Sequence, residues 1–409
     1  LAGALIVIAF NAMDPVTTLS EKFMTGMSGF AGNWFLLFML GAIFGKVMGD
    51  SGASVGIANK MLKILGEKSV VLVVMLTGLV LSYGGIGTFI IAFSLYPIAV
   101  ALFQKADIPK KLIVATIMVC PVTVCMAMLP GSPSTQNLIP TQYFGTTAYA
   151  GATLGLICSA IMFVSAYLFL NWQIKKAKAA GEHFVASPGE DIMDLNAVDE
   201  GKTPSVGACF APIVVLLVLM FGIQSMTSIP SSYAVAIAMT CAIIVGCVLY
   251  RDRLNVKEAV SNGAGGGLSS LIATSSIMGF GSVVSASPAY ESITTALVNM
   301  QANPLITALV SINVIAAITG SSAGGLNIFL SSMGEYLAAS GLNMSMLDRV
   351  VCIASSGFDA MPHASGMVVC NQIAKTSQKD TYKYVFITCA IMPFCCAILA
   401  CIIGTLGIV

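Results

Sequence analysis

Asp359 and His363 stand four positions apart in "SSGFDAMPHASG", inside an apolar half of the chain. Read as one helix entered near Arg349, the spacing puts them on neighbouring turns, with Asp359 about three turns in. A carboxylate with an imidazole neighbour at that depth of a bilayer can carry a proton or help bind a charged solute. It can equally serve as a structural cap on a broken helix. Around this pair lie four interruptions of apolar sequence: "YGGIGT" (Tyr83–Thr88), "PGSPSTQN" (Pro130–Asn137), "TGSSAGG" (Thr319–Gly325) and "PHASG" (Pro362–Gly366). Unpaired backbone groups cost several kcal/mol each in hydrocarbon, so such breaks persist only beside protein or a wet cavity. Helix N-termini at a break present N–H groups and a positive dipole end, which suits a carboxylate. Serine and threonine add neutral hydrogen bonds, and glycine lets backbone approach a ligand. The residues expected to bind a substrate are therefore Tyr83, Gly84, Gly85, Thr88, Ser132, Ser134, Thr135, Ser321, Ser322, Gly324, Asn327, His363 and Ser365. Asp359 or His363 would carry a coupling proton, and backbone carbonyls at the breaks could ligate sodium instead. No cofactor or metal is expected, since no HExxH, P-loop or dinucleotide fingerprint occurs.

The elements that must position these groups follow from composition. The chain has 409 residues, 57% hydrophobic and 9% charged, with mean hydropathy +0.92. Soluble domains carry about 25% charged residues, which excludes an ordinary globular fold. Apolar runs of roughly 17–25 residues recur throughout, the length of a membrane-crossing helix. The reading is an all-α polytopic membrane protein. A net charge of +1 offers no field for nucleic acid. The twelve cysteines lack zinc or disulfide spacing and read as small buried hydrophobes. The sequence opens inside the apolar run "LAGALIVIAF", so upstream sequence with one more crossing helix is expected.

The two halves resemble each other at a shift of roughly 232–237 residues. Gly26 falls over Gly263, "SYGGIGTF" over "TGSSAGGLNIF", and Pro130 over Pro362. Basic residues collect on the cytoplasmic side. Lys60, Lys63 and Lys68 precede the run 69–104, and Lys105, Lys110 and Lys111 follow it, so a re-entrant hairpin explains the charges better than a single crossing. Continuing the path through Lys175, Lys176 and Lys178, then Arg251, Arg253 and Lys257, then Lys375, Lys379 and Lys383 inverts the second half relative to the first. The expected organisation is a first membrane repeat over 1–170, with hairpin 69–104 and broken helix 111–143. A cytoplasmic linker over 171–205, without a helical stripe, leads to a second repeat over 206–409, with hairpin 304–340 and broken helix 346–372. In an inverted repeat the four breaks converge near the midplane. For "GMSGFAG" and "GAGGG", close helix packing suffices as a reason. Lys46, Asp50 and Glu335 read as snorkelling near helix ends, and His183 in the linker has no expected role in transport.

"LGAIFGKVMGDSGA" (Leu40–Ala53), "LYP" (Leu95–Pro97) with "ADIP" (Ala106–Pro109), "LPGSPS" (Leu129–Ser134), "GTTAYAGATLG" (Gly145–Gly155) and "PHASG" resemble the gluconate permease family of the ion transporter superfamily, in order along nearly the whole chain. The resemblance implies a multi-pass carrier of the bacterial cytoplasmic membrane. It further implies small organic acid anions as substrates, proton coupling, a homodimer, and an elevator-like transport domain on a scaffold. Where gluconate-type members show "PHPGP" this chain has "GSPST", so Ser132 replaces a histidine. Where they carry "HVND" it has "HASG", so only His363 matches. They also tend to be acidic near the first hairpin tip, where this chain has "YGGIGTF". Fewer polar hooks argue against a polyhydroxylated sugar acid such as gluconate, and "YGGIGTF" and "LPGSPSTQN" resemble the branch associated with hydroxybutyrate-type short acids, which implies a short monocarboxylate such as 3-hydroxybutyrate ahead of a sugar acid or a citrate-type carboxylate. Two other classes compete. "GSSAG" (Gly320–Gly324) matches G-x-S-x-G, which with His363 would suggest an intramembrane serine hydrolase, but nothing positions a third member or an oxyanion hole. A channel would share the pore-like breaks but not accumulate solute.

Overall fold

The computed structural model describes residues 1–409 except 54–55, 58–59, 61–62, 64–65, 67–68, 84–87, 133, 188–203, 227–230 and 299–302. Every regular element among the described residues is a helix. The first half comprises α1 (Ala2–Phe10), α2 (Pro15–Asp50), α3 (Val70–Tyr83), α4 (Thr88–Lys105), α5 (Lys110–Met128), α6 (Thr135–Phe144) and α7 (Ala152–Ala179). The second comprises α8 (Val206–Met226), α9 (Ser231–Leu249), α10 (Val256–Ser285), α11 (Pro288–Val298), α12 (Pro304–Thr319), α13 (Ser322–Ala338), α14 (Met344–Ser355), α15 (Ser365–Ile373) and α16 (Gln378–Thr405). Among the described residues α2, α5, α7 and α16 are long and apolar enough to cross a membrane, while α3 and α12 are shorter apolar helices.

Local chemistry sets the ends. Pro15 occupies the first turn of α2, and the Asp14 carboxylate accepts the Thr17 N–H at 2.7 Å. In α16 the helix widens to π geometry over Ile387–Ile391, just before Pro393. That widening accommodates a ring that would otherwise strike the carbonyl four residues back. The long helices α2 and α10 pack along each other, and a Cβ at Gly263 would lie 2.7 Å from the Ile43 Cα. Glycine at that position is a requirement of close backbone approach. Lys46 and Asp50, expected to snorkel, pair with each other at 3.0 Å.

The centre of the molecule is α5 and α14, whose residues are almost all buried and which pack against α3, α6, α7, α12 and α16. One boundary differs from the sequence reading. The last amphipathic turns of α7 run through Asn171–Ala179, into the stretch expected to be linker. "NWQIKKAKA" is rich in good helix formers, and Asn171 Nδ2 donates to Tyr167 O at 2.8 Å, so the helix continues past its apolar part. The broken helix expected over 346–372 consists of two helices, α14 and α15, separated by 356–364.

Candidate functional site

The site is built on two neighbouring breaks. α12 ends at Gly320, which adopts the left-handed conformation (φ 62°) that a side chain would strain. Ser321 then caps α13, its hydroxyl accepting the Gly324 N–H at 3.1 Å. α14 stops at Ser355 because of a tertiary contact. Asn313 on α12 accepts the Phe358 N–H at 3.1 Å, and a Cβ at Gly357 would sit 1.8 Å from its Oδ1. Asp359 is therefore not three turns into a helix; it lies in the irregular segment after α14, with one carboxyl oxygen, Oδ1, buried and without a hydrogen-bond partner. His363, further along that segment, meets the carbonyl of Ile318 through Nε2 at 3.1 Å, which joins the two breaks.

Between these breaks and the end of α10 is a cavity of about 490 Å³. Thr319, Ser321, Gly324 and Ile328 line it from the first break, and His363 and Ser365 from the second. The opposite wall is Met278, Phe280, Gly281, Ser282 and Ser285 on α10, with Ala286 just beyond. The volume lies in the range of about 300–1,000 Å³ typical of small-molecule sites. The N-termini of α13 and α15 both border it, so their dipoles place positive potential there. Hydroxyls from both walls and the His363 imidazole are its polar groups, and Met278, Phe280 and Ile328 its apolar surface. That arrangement can hold a small anion with a short hydrocarbon part.

The first-half break packs against the same region. Tyr83 donates its hydroxyl to Pro130 O at 3.3 Å, tying the end of α3 to the break after α5. Ser132 is buried, 3.6 Å from the Cys125 sulfur. Ser134 caps α6, accepting the Asn137 N–H at 3.3 Å and donating to Met126 O at 2.6 Å. Thr135 donates to Gln136 Oε1 at 3.0 Å, and Gln136 Nε2 donates to Ser322 Oγ at 2.7 Å. Ser322, itself buried, lies against the Asp359 carboxyl.

Of the expected binding residues, the cavity thus gathers Ser321, Gly324, His363 and Ser365. Ser322 and Asp359 lie in the same pair of breaks without lining it, and Tyr83, Ser132, Ser134 and Thr135 belong to the first-half break. Thr88 is half-buried at the start of α4 and Asn327 is exposed on α13; neither lines the cavity. Gly84 and Gly85 lie outside the described residues. Ser322, the serine a competing hydrolase would have used, accepts from Gln136, and His363 meets a carbonyl.

Sequence reasoning missed three features. The α10 wall read only as a crossing helix, although "GFGSVVSAS" sets Ser282 and Ser285 three apart, on one helix face. Gln136 was passed over within its break. Arg349 was treated as a helix start, yet it is fully buried. Its Nε and Nη2 donate to Ala150 O at 2.9 and 2.7 Å, Nη2 also to Ala148 O at 3.1 Å, and Nη1 to Asn137 Oδ1 at 2.8 Å and Met128 O at 3.5 Å. Asp348, equally buried, accepts from Thr146. A lone arginine inside "MLDRVVCIA" was the available signal, because an intramembrane charge always has a partner.

Outside the apolar layer, the stretch after α7 folds over the α4–α5 turn. Lys178 donates to Ala106 O at 2.8 Å, Lys110 to Ser187 at 2.7 Å, and Lys111 pairs with Glu182. His183 meets Asp107 at 2.6 Å and the Phe184 N–H donates to the same carboxylate at 2.9 Å. The His183 contact, and after it the Phe184 N–H, hold the Asp107 carboxyl below its ordinary value.

The GntP family permease profile matches residues 1–406 of this chain. The chain belongs to the GntP permease family. It is 31% identical over 404 residues to the uncharacterized transporter YxjC of Bacillus subtilis (strain 168), covering 90% of the permease and 85% of that protein. It is also similar to the YdaH transporter of Alcanivorax borkumensis, whose crystal structure covers 99% of this chain and 96% of its own at TM-score 0.40 and 13% identity. The permease is accordingly a multi-pass helical transporter of the bacterial cytoplasmic membrane and not an enzyme.

Proposed function

We propose that the permease is a proton-coupled symporter for a short monocarboxylate such as 3-hydroxybutyrate. The observation that carries this reading is the cavity between α10 and the two second-half breaks, with two helix N-termini, hydroxyls and His363 facing a wall that is part apolar, Met278 and Phe280, and part hydroxyl, Ser282 and Ser285. A carboxylate binds at the N-termini, a β-hydroxyl meets Ser282 or Ser285, and the short alkyl part rests on Met278, Phe280 and Ile328. A sugar acid would need a hydroxyl partner at every carbon, and the apolar wall would leave several unpaired. Asp359, with its unpartnered oxygen, carries the proton, and His363 shares the charge of the bound anion.

Helix lengths support the inverted-repeat architecture. At about 1.5 Å per residue, α3 and α12 reach roughly 21 and 24 Å, short of the roughly 30 Å hydrocarbon core, so each pairs with its successor as a re-entrant hairpin. The hairpins and the breaks beside them form the moving part, which slides against α2 and α10 within each protomer of a homodimer. The test is competition of labelled 3-hydroxybutyrate uptake by a panel of acids. Three- to five-carbon hydroxy acids compete and gluconate and citrate do not; gluconate competing best refutes the substrate class.

A further inference from the structure

We propose that Gln136 is a positioning residue for Asp359, acting through Ser322 across the two halves of the chain. Gln136 belongs to the first turn of α6 in the first half, whereas Ser322 and Asp359 belong to the two breaks of the second. The amide is buried and both its ends are used: Oε1 accepts from Thr135 and Nε2 donates to Ser322 Oγ at 2.7 Å. Because Ser322 accepts from Gln136, its single proton is free to be donated, and Asp359 is the carboxyl beside it. The donors run one way, from Thr135 to Gln136 to Ser322, which leaves the Ser322 proton for the Asp359 carboxyl beside it, the polarity that favours an anion at the end of the chain. The remaining oxygen, Asp359 Oδ1, is left buried and unpartnered. The other titratable groups near Asp359 are the Cys389 thiol on α16 and, along its own segment, His363.

The amide links the break after α5 to the break before α13, so that a change of charge at Asp359 is felt by both halves. The consequence for transport rests on the proposed proton coupling; the positioning of the carboxyl does not.

The experiment is infrared difference spectroscopy of the purified permease, taking as the Asp359 band the carboxyl component lost in Asp359→Asn. Gln136→Leu is expected to displace that band, Ser322→Ala to displace it likewise, and the double variant to add nothing further. In proteoliposomes, the pH of half-maximal labelled 3-hydroxybutyrate uptake moves up by about 0.7 unit in Gln136→Leu, the equivalent of the one neutral hydrogen bond, Gln136 to Ser322, that the variant removes. Gln136→Met, which keeps the length without the amide, replaces the leucine variant if that does not fold. An Asp359 band unchanged in the folded variant overturns the inference. Gradient-driven uptake retained in full by Asp359→Asn overturns the proton-carrier reading instead, and leaves the band measurement to decide on Gln136.

Discussion

Replacing Arg349 with methionine should be among the most destabilising single changes in the permease. The guanidinium makes five N–H···O contacts, to Ala150 O twice and to Ala148 O, Asn137 Oδ1 and Met128 O. Not all of these acceptors would be orphaned. Ala148 O keeps the Gly131 N–H at 2.8 Å and Asn137 Nδ2 at 3.0 Å. Ala150 O and Asn137 Oδ1 lose their arginine donors, at about 1–3 kcal/mol each when buried. Asp348 loses the neighbouring opposite charge while remaining fully buried. Breaking a buried pair from one side costs about 3–5 kcal/mol in all, which lowers the apparent Tm in detergent by on the order of 10 °C. Asp348→Asn alone should destabilise, but added to Arg349→Met it should recover part of the loss, because the uncompensated anion is gone. A melting curve of Arg349→Met that overlays the wild type would refute the reasoning. So would an Asp348→Asn effect that simply adds to it.

Gly357→Ala should lower the melting temperature, since its Cβ would fall 1.8 Å from Asn313 Oδ1 and displace the acceptor of the Phe358 N–H; Gly29→Ala, with nothing within 4 Å of the added atom, is the control and should be silent. Ser321→Ala removes the cap of α13 at about 1 kcal/mol, so uptake should show a raised KM, measured beside the milder Ser321→Gly. Asp107→Ala should speed hydrogen exchange at the Phe184 amide. Because the folded carboxyl is held below its unfolded value, that protection is present above about pH 4 and fades as pH falls through the folded value, where wild type and variant should converge.

The membrane class and the places where helices break were legible in the residues themselves. Apolar length gives the first, and Ser134, Gly320 and Ser321 mark the second through short-range cap and turn chemistry. What was not legible depends on distant contacts. Asp359 reads as helical until Asn313, forty-six residues earlier, meets the backbone at Gly357 and Phe358 and ends α14. The lone charge of Arg349 signals that it has partners but not which, because its acceptors come from the other half of the chain. The α10 wall carries no break of its own, so only the packing shows that Phe280 and Ser282 face a cavity. His183 looked idle within a polar stretch whose fold-back over Asp107 no periodicity announces.

Uptake of labelled 3-hydroxybutyrate into proteoliposomes under an imposed pH gradient tests the central claim most directly. Accumulation above the outside concentration when the outside is acidic, collapsing with a protonophore and absent in Asp359→Asn, is the predicted result. Equilibration to the outside concentration, with or without the gradient, would contradict it.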